Sequence, residues 1–416
     1  MPRTDDLKRR VQPALLCAMT ALAPVAGHAA TIVQWNTGNV AVDPNAAPGV
    51  TGTSEVYDRT LNPDGSVPTG ATTSGTITFA PPEAGSPGIK VQSQTYDDTG
   101  SSAPLELSGC LMTSNPSAVC TSPFQSGKRI KQNITGFAPV DLVFDIDASD
   151  TGSKAYQVFG RLINDSGAAL EGVTVELGFG IGEDFVAATT DQLVFSTEFT
   201  AQPNNSGKSS TSQMPFGLFG DAGDNDNFLI DGFFSDERTG FDLVQTDHMI
   251  TTAGYYGAYE DIFGDWNTKT DVAQGLFWDF DDDAETDNLL MAWQIGDDLW
   301  ELRRTVGETC DPDDSLNCTF GQTLDTFETG TFDQIVEALS NPDDPWIDIF
   351  EEGEIEDLAN LNLNYAIELG DLTGQSSFTI RTTAIPAPSI VPLPAGAPLL
   401  LGALGLLGWV RRRKTA

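Results

Sequence analysis

Closely spaced aspartates are the residues of this chain whose type and spacing point most directly to chemistry. Four of them occupy positions 1, 3, 5 and 9 of a calcium-binding loop: Asp279, Asp281, Asp283 and Asp287. Alternating carboxylates on a tight loop converge on one cation, and Ca²⁺ prefers several oxygen ligands. Against this, Ala284 replaces the sharp-turn glycine of an EF-hand, and Leu290 replaces its bidentate glutamate. The sequence therefore predicts either one bound calcium ion outside the EF-hand class or a solvated acidic loop.

No set of residues in the chain matches a common hydrolase motif. Neither GxSxG nor HExxH occurs, and His248 is the only histidine beyond residue 28. Glycoside hydrolysis needs only two carboxylates about 5–9.5 Å apart, and Glu260 and Asp261, which lie near several tyrosines, are the best candidates. Since 60 acidic residues always offer some pair, this criterion discriminates little. We expect a protein that is not an enzyme, with a polysaccharide-active hydrolase as the weaker alternative.

Charge separates the ends of the chain from its body. Lys and Arg number 21 against 60 Asp and Glu, which gives a formal net charge of −39. Eight of the basic residues lie within residues 1–30 and 411–416, so residues 31–410 keep 13 basic against 58 acidic side chains. So acidic a body repels phosphate backbones, which excludes nucleic acid as a partner. Its 23 Phe, 7 Trp and 7 Tyr supply apolar area for a core and argue against disorder.

The first 29 residues have the pattern of a secretory signal peptide. A basic start at residues 3–10 precedes an apolar run at residues 14–26. Gly27 and Ala29 are the small residues at positions −3 and −1 of a cleavage site. The apolar run is shorter than the roughly 20 residues that an anchor helix needs. We therefore expect export of the chain and removal of residues 1–29.

A second apolar segment lies near the other end. Residues 390–410 carry no charge, and these 21 residues would span about 31 Å as a helix, one hydrocarbon thickness. A basic stop follows at once: Arg411, Arg412, Arg413 and Lys414. The positive-inside rule places this stop in the cytoplasm and the acidic body outside. The pattern predicts a transmembrane helix, and a plain tail anchor is its simplest use.

A proline-rich motif precedes the bulk of that apolar segment: Val391, Pro392, Leu393, Pro394, Ala395 and Gly396. Proline keeps such a stretch extended, as a protease requires for access to the backbone. Motif, apolar helix and basic stop together resemble the VPLPA-CTERM variant of PEP-CTERM sorting signals, although the Pro-Glu-Pro core of the parent class is absent. Residues 32–40 (IVQWNTGNV) resemble the opening of the exported choice-of-anchor proteins, F type.

These resemblances imply a cellular route and imply no activity. In the PEP-CTERM class an exosortase-like membrane enzyme cuts near the motif and releases or transfers the exported body. The C-terminal helix would attach the chain to the membrane only until that step. Delivery to a Gram-negative cell envelope or to an exopolysaccharide-rich matrix would follow.

Four cysteines remain once Cys17 is removed with the signal peptide. They form two local pairs, ten and eight residues apart in sequence: Cys110 with Cys120, and Cys310 with Cys318. Because loop closure favours near neighbours, we predict a disulfide within each pair, clipping a surface loop. An oxidising compartment agrees with export. A zinc site is disfavoured, because the spacing is not CxxC.

Between its ends the chain has the pattern of a β protein. Runs rich in β-branched and aromatic residues are bounded by Gly, Pro, Asn, Asp and Ser, at 75–79, 89–96, 140–146, 156–163, 173–179 and 377–382. Two later segments, 331–339 and 346–363, are helix candidates. The tryptophans at 266, 278, 293 and 300 are expected in a β core. We predict a mostly β fold, an antiparallel, jelly-roll-like sandwich with long acidic loops and one or two minor helices.

The domain organisation follows from these segments. A signal peptide (1–29) precedes an acidic β-rich body (30–385), in which the polar connector 202–213 is either a sub-boundary between two domains or one large loop. A proline-rich stalk and sorting motif (386–394) and a transmembrane helix with basic tail (395–416) complete it. The expected function is that of an exported surface or matrix protein with a structural or interaction role. The alternative is a calcium-dependent carbohydrate-binding module that holds exopolysaccharide.

Overall fold

The computed structural model covers most of the acidic body. The described residues are 28–44, 46–97, 105–122, 126–151, 154–197, 240–256, 265–278, 289–306, 308–311, 314–320, 323–339 and 350–388. Within them the protein is mostly β, with antiparallel sheets and one α-helix, which confirms the coarse fold prediction.

The strands are numbered in chain order. The first twelve are β1 (His28–Asn36), β2 (Val40–Ala41), β3 (Gly52–Tyr57), β4 (Thr73–Phe79), β5 (Ile89–Asp97), β6 (Glu106–Thr113), β7 (Ile130–Ile134), β8 (Val140–Thr151), β9 (Lys154–Asn164), β10 (Leu170–Phe179), β11 (Val186–Ala187) and β12 (Leu193–Phe195). The others are β13 (Gly240–Gln245), β14 (Met249–Tyr256), β15 (Gln274–Trp278), β16 (Leu289–Gly296), β17 (Leu299–Arg304), β18 (Glu308–Asp311), β19 (Asp314–Phe320), β20 (Thr323–Gly330), β21 (Phe350–Glu354), β22 (Asn360–Leu369) and β23 (Ser377–Pro386). All six strand segments predicted from sequence lie within observed strands.

The described strands form three larger sheets and one hairpin. The seven-stranded sheet has the order β1-β8-β23-β10-β14-β13, with β11 paired to β10. The nine-stranded sheet has the order β12-β22-β9-β7-β4-β3-β2, with the β5–β6 pair attached to β9. The five-stranded sheet is β20-β17-β16-β15-β21, and β18 pairs with β19. Two pairings among these are parallel, β6 with β9 and β7 with β9.

The seven-stranded and nine-stranded sheets contribute side chains to one hydrophobic cluster. On β10, Val173, Val175 and Leu177 point into it and are at most 2% exposed, as their alternation with polar residues predicts. Phe144 on β8 stacks on Phe378 on β23, with ring centroids 5.5 Å apart. Burying a side chain of this size stabilises the fold by roughly 1.5–3 kcal/mol.

The five-stranded sheet is an insertion between β14 and β22 that carries a second hydrophobic cluster. Leu276 and Trp278 on β15 belong to this cluster, whereas Phe277 between them belongs to the main one. Neighbouring side chains point to opposite faces of a strand, so this sheet buries apolar side chains on both faces. Trp266, Trp278 and Trp300 are each at most 6% exposed, which confirms their expected core positions.

One α-helix, α1 (Phe332–Leu339), covers the second cluster with Ile335 and Leu339. Thr331 caps the helix. The backbone N–H of Gln334 donates to Thr331 Oγ1 (3.4 Å), and the backbone N–H of Thr331 donates to Gln334 Oε1 (2.9 Å). The helix predicted at 331–339 is therefore confirmed. The helix candidate at 346–363 is wrong where it is described, because β21, a short 3₁₀ turn and β22 occupy residues 350–363. Pairing of β22 with β9 along ten residues overrides the local helical tendency.

The turn after Asn164 connects two sheets. The two flanking strands do not form a hairpin, because β9 pairs with β22, β6 and β7, whereas β10 pairs with β23, β14 and β11. The Asn164 side chain donates from Nδ2 to the carbonyls of Ala168 (2.9 Å) and Trp266 (3.0 Å). These contacts hold the chain in an arch, so each strand buries its apolar face in the shared core.

A buried ion pair fastens β23 to β8. Arg381 and Asp141 lie opposite each other, and Nε and Nη2 of Arg381 each donate to one carboxylate oxygen at 2.7 Å. Gly182 closes the group, because its N–H donates to Asp141 Oδ2 and its carbonyl accepts from Arg381 Nη2, both at 2.7 Å. Gly182 has φ +56, and a Cβ there would lie 2.4 Å from the Asp58 carbonyl oxygen, so glycine is required. The Phe185 ring lies 3.9 Å from the guanidinium carbon.

The predicted domain limits fall near the edges of the described region. Ala29 belongs to β1, whereas Gly27 lies outside the described residues. Strand β23 ends at Pro386, where the predicted stalk begins. The connector at 202–213 is also outside the described residues, and strands on both sides of it, β10 and β14, pair in the same sheet. The described helices include none that is long and apolar enough to cross a membrane.

Candidate binding face

Several residues singled out from the sequence lie outside the described part of the chain. These are the aspartates at 279, 281, 283 and 287, the sorting motif 391–396, the basic stop 411–414, and Glu260 and Asp261. Within the described residues, no group of three or more His, Cys, Asp or Glu side chains is placed to hold a metal ion. These predictions remain predictions.

The structure joins Cys110 to Cys120 by a disulfide, with the Cα atoms 5.8 Å apart. Both residues are at most 2% exposed, and Cys110 lies within β6. The predicted pairing is therefore confirmed: the bond fastens buried strand β6 to the following loop, in which Pro116, Ser117 and Val119 are exposed. Cys310 and Cys318 occupy opposite positions in the β18–β19 hairpin.

The outer face of the nine-stranded sheet carries a row of polar side chains. Strand register brings together five residues that are far apart in sequence, in the order Asn362, Arg161, Lys131, Thr78 and Thr53. We call this set the cationic row. Neighbouring strands lie about 4.8 Å apart, so five strands give a row about 19 Å long.

The alternation of β7 explains why the row faces away from the core. Ile130 and Ile134 belong to the hydrophobic cluster, and Gln132 is 4% exposed on the same side. Lys131 and Asn133 are half-buried on the opposite side. The partner strands repeat this pattern, since Leu162 on β9 and Leu363 on β22 point into the core. A rigid sheet thus fixes the backbone beneath every residue of the cationic row.

Positive charge concentrates around this row although the body is acidic. Six of the 13 basic residues within 31–410 lie on or near this part of the sheet: Lys90, Lys128, Arg129, Lys131, Arg161 and Lys269. Burial lowers the pKa of Lys131, and the nearby cations Arg161 and Lys269 lower it further. The negative charges of Glu83 and Glu356 raise the pKa of Lys131, but they do not reverse its net decrease. The nearest ion pair of the row is weak, because Arg161 and the 69% exposed Glu356 are 3.9 Å apart.

A small pocket adjoins the row at Lys131. Its volume is about 20 Å³, which admits a water-sized group. Arg129 and Lys131 supply two cations to its wall, and Glu83 supplies a carboxylate. Thr78, Thr113 and Asn115 add neutral polar side chains. The lining suits an oxygen-rich group with negative charge.

Two lysines fix the loop beside this pocket. Lys90 Nζ donates to the carbonyls of Ala118 (2.7 Å) and Asn115. Lys128 Nζ donates to the Cys120 carbonyl (3.0 Å) and lies 4.3 Å from the centre of the Phe159 ring. Burial, with a smaller contribution from the charge of Arg129, lowers the pKa of Lys128 to about 8. Since the disulfide holds the same loop, the pocket wall at Asn115 is anchored.

Polar atoms without a partner flank the row on both sides. Asn133 Oδ1 and Asn364 Oδ1 are buried and have no hydrogen-bond partner among the described residues, and neither has Arg161 Nε. An unpaired buried polar atom costs roughly 1–3 kcal/mol. Within the described residues, the fold thus leaves three polar atoms unsatisfied beside the row.

A larger cavity elsewhere has a different character. It measures about 370 Å³ and is lined by three carboxylates, Glu106, Asp247 and Glu368, with Thr197 beside them. The adjacent His248, the sole histidine candidate for a base, is half-buried, and its backbone carbonyl accepts from the Leu177 N–H (3.0 Å). Its Nδ1 has no hydrogen-bond partner among the described residues, so no carboxylate in that part of the chain pairs with this nitrogen as in a catalytic triad.

Sequence reasoning missed the cationic row. The only signal available was the cluster of basic residues at 128–131 within an acidic chain. The comparisons add no assignment: the chain matches no family model, and no curated protein or solved structure is significantly similar to it.

Proposed function

We propose that this chain is an exported, non-enzymatic surface or matrix protein whose body is a β-sandwich with a binding face. The shared hydrophobic cluster between the seven-stranded and nine-stranded sheets supports the sandwich. The N-terminal signal pattern and the VPLPAG motif with its apolar segment and basic stop support export, transient membrane attachment and processing by an exosortase-like enzyme.

The proposed interaction role rests on the cationic row. Polar and charged side chains cross five strands of a sheet whose other face belongs to the core. A sheet scaffold holds such side chains in fixed relative positions, as a binding site requires. Asn133 and Asn364, both half-buried, add amide side chains beside the row.

Carbohydrate binding is the form of interaction that this face favours. Asparagine and threonine side chains both donate and accept hydrogen bonds, as sugar hydroxyls do. The calcium-dependent variant of this role uses the aspartates at 279–287 as cation ligands. Adding a chelator to a binding assay separates the two variants, since only the second loses affinity.

The test compares retention of the full chain at the cell surface of the producing bacterium. A variant with Lys131→Gln and Arg161→Gln should be exported and processed normally but shed into the medium. Arg59→Gln, an exposed cation elsewhere, is the matched control and should be retained. Equal retention of both variants would reject the binding face.

The sorting part is tested separately. Neutralising Arg411, Arg412, Arg413 and Lys414 together should leave an unprocessed precursor, because the helix loses its cytoplasmic stop. Mass spectrometry of the mature C-terminus reads out the result. Unchanged processing and location would contradict the sorting proposal.

A further inference from the structure

We infer that the cationic row binds a carboxylate-bearing polysaccharide, with one carboxylate seated between Lys131 and Arg161. This inference rests on the proposed binding face and names the chemistry of its ligand. Its starting point is the register of β7 and β9, which places these two cations directly opposite each other on the same face.

Two like charges in that position repel each other. Arg161 and Lys269 both lower the pKa of Lys131, in addition to the effect of burial. The opposite arrangement exists on the other sheet, where Arg381 faces Asp141 at 2.7 Å. No carboxylate oxygen among the described residues lies within 4.0 Å of Lys131 Nζ. An anion placed between Lys131 and Arg161 therefore relieves a repulsion that the protein offsets only in part, through Glu83 and through the 3.9 Å pair of Arg161 with the exposed Glu356.

The neutral members of the row identify the rest of the ligand. Thr78, Thr53 and Asn362 extend the row on both sides of the cations. Asn133 and Asn364, both half-buried, add two amide side chains next to it. Hydroxyl groups that flank a carboxylate pair with amide and hydroxyl side chains of this kind, and a chain of acidic sugars supplies both along a row of about 19 Å.

The acidity of the body indicates which class of polyanion the cationic row can bind. Double-stranded nucleic acid carries one charge per about 1.7 Å, and a body with 13 basic and 58 acidic residues repels it strongly. An acidic polysaccharide carries at most about one carboxylate per sugar and meets less repulsion. Salt screens that long-range repulsion, whereas it screens the half-buried contacts at Lys131 and Arg161 less. Affinity should therefore persist at physiological ionic strength.

The experiment titrates the purified full chain with four probes of matched length. They are oligogalacturonate, dextran, poly-glutamate and polyphosphate, each tested with and without a chelator. Oligogalacturonate should bind and raise the unfolding temperature, and dextran should bind at least about tenfold more weakly. Lys131→Gln should weaken oligogalacturonate binding by roughly tenfold or more, the loss expected for one charge-assisted hydrogen bond.

Stability supplies the readout that separates a binding role from a structural one. Because Lys131→Gln removes a repelling charge, its urea midpoint should equal or exceed that of the parent chain while binding is lost. Arg59→Gln should change neither quantity. A destabilised Lys131→Gln variant with intact binding would overturn the inference.

The probes also distinguish failure of the carboxylate inference from failure of the proposed binding face. Equal binding of dextran and oligogalacturonate, both weakened by Asn362→Ala, would reject the carboxylate and keep the binding face. Preference for poly-glutamate or polyphosphate would reject the polysaccharide. Absence of binding to any probe, with Lys131→Gln as stable as the parent chain, would reject the inference together with the face.

Discussion

Replacing Arg381 by leucine tests whether the buried ion pair holds the C-terminal strand in the seven-stranded sheet. The substitution removes both donors to Asp141 and the donor to the Gly182 carbonyl, three contacts of 2.7 Å. It also removes the cation from the Phe185 ring. Asp141, whose side chain is 1% exposed, keeps the N–H of Gly182 as its remaining charge-stabilising donor.

The size of the expected stability loss depends on the Asp141 charge that stays buried after the substitution. A hydrogen bond to a charged group contributes about 1.5–3 kcal/mol, but three such bonds on one guanidinium are not additive. Removing one member of a buried pair costs about 3–5 kcal/mol, because the other charge stays buried and uncompensated. Burial of the leucine side chain offsets part of this cost. We expect the free energy of unfolding to fall by about 3 kcal/mol.

Urea unfolding followed by tryptophan fluorescence and circular dichroism measures the change. Arg59→Leu is the matched control, because its exposed side chain should contribute no more than about 0.5 kcal/mol. A double variant, Asp141→Leu with Arg381→Leu, should lose much less than the sum of the two single variants. A loss below about 1 kcal/mol for Arg381→Leu, or strict additivity in the double variant, would refute the reasoning.

Three further predictions concern smaller features. Burial lowers the pKa of Lys128 from its ordinary value of 10.5 to about 8. Between about pH 8 and 10.5 the unfolded chain therefore binds this proton more tightly than the folded chain, so the free energy of unfolding should rise with pH in that range. The urea midpoint of Lys128→Met should lack that rise. Opposite positions in an antiparallel pair place the Cα atoms of Cys310 and Cys318 about 4.5–5.5 Å apart, within disulfide range, so non-reducing peptide mapping should recover them linked, and two free thiols would contradict this. Thr331→Ala should cost about 1 kcal/mol by removing the cap of α1, whereas Thr331→Ser should cost a few tenths; equal urea midpoints for the two variants would rule out the cap.

Local patterns were enough to predict the strands and the helix. The alternation in Val173, Val175 and Leu177 gave both the strand and its buried face. The spacing of apolar residues in 331–339 predicted α1. These features depend on neighbours a few residues apart, which a single sequence displays directly.

Pairing between distant segments was beyond the same patterns. The turn at Asn164 has the composition of a hairpin, and only the partners of β9 and β10 reveal an arch. The helix candidate at 346–363 failed for the same reason, since β22 gains ten residues of pairing with β9. The cationic row unites Arg161 with Asn362, 201 positions apart, through strand register alone. The sequence shows that basic residues cluster at 128–131, but it does not show that strand pairing places Lys131 beside Arg161.

The position of β23 has a consequence for the order in which the molecule is made. This strand is the last of the described strands along the chain, yet it lies between β8 and β10 in the interior of its sheet. Until residues 377–386 are present, both neighbours expose unpaired backbone edges, and the sheet remains two separate pieces. A polypeptide that emerges N-terminus first could therefore join these two pieces only after its last described strand has emerged.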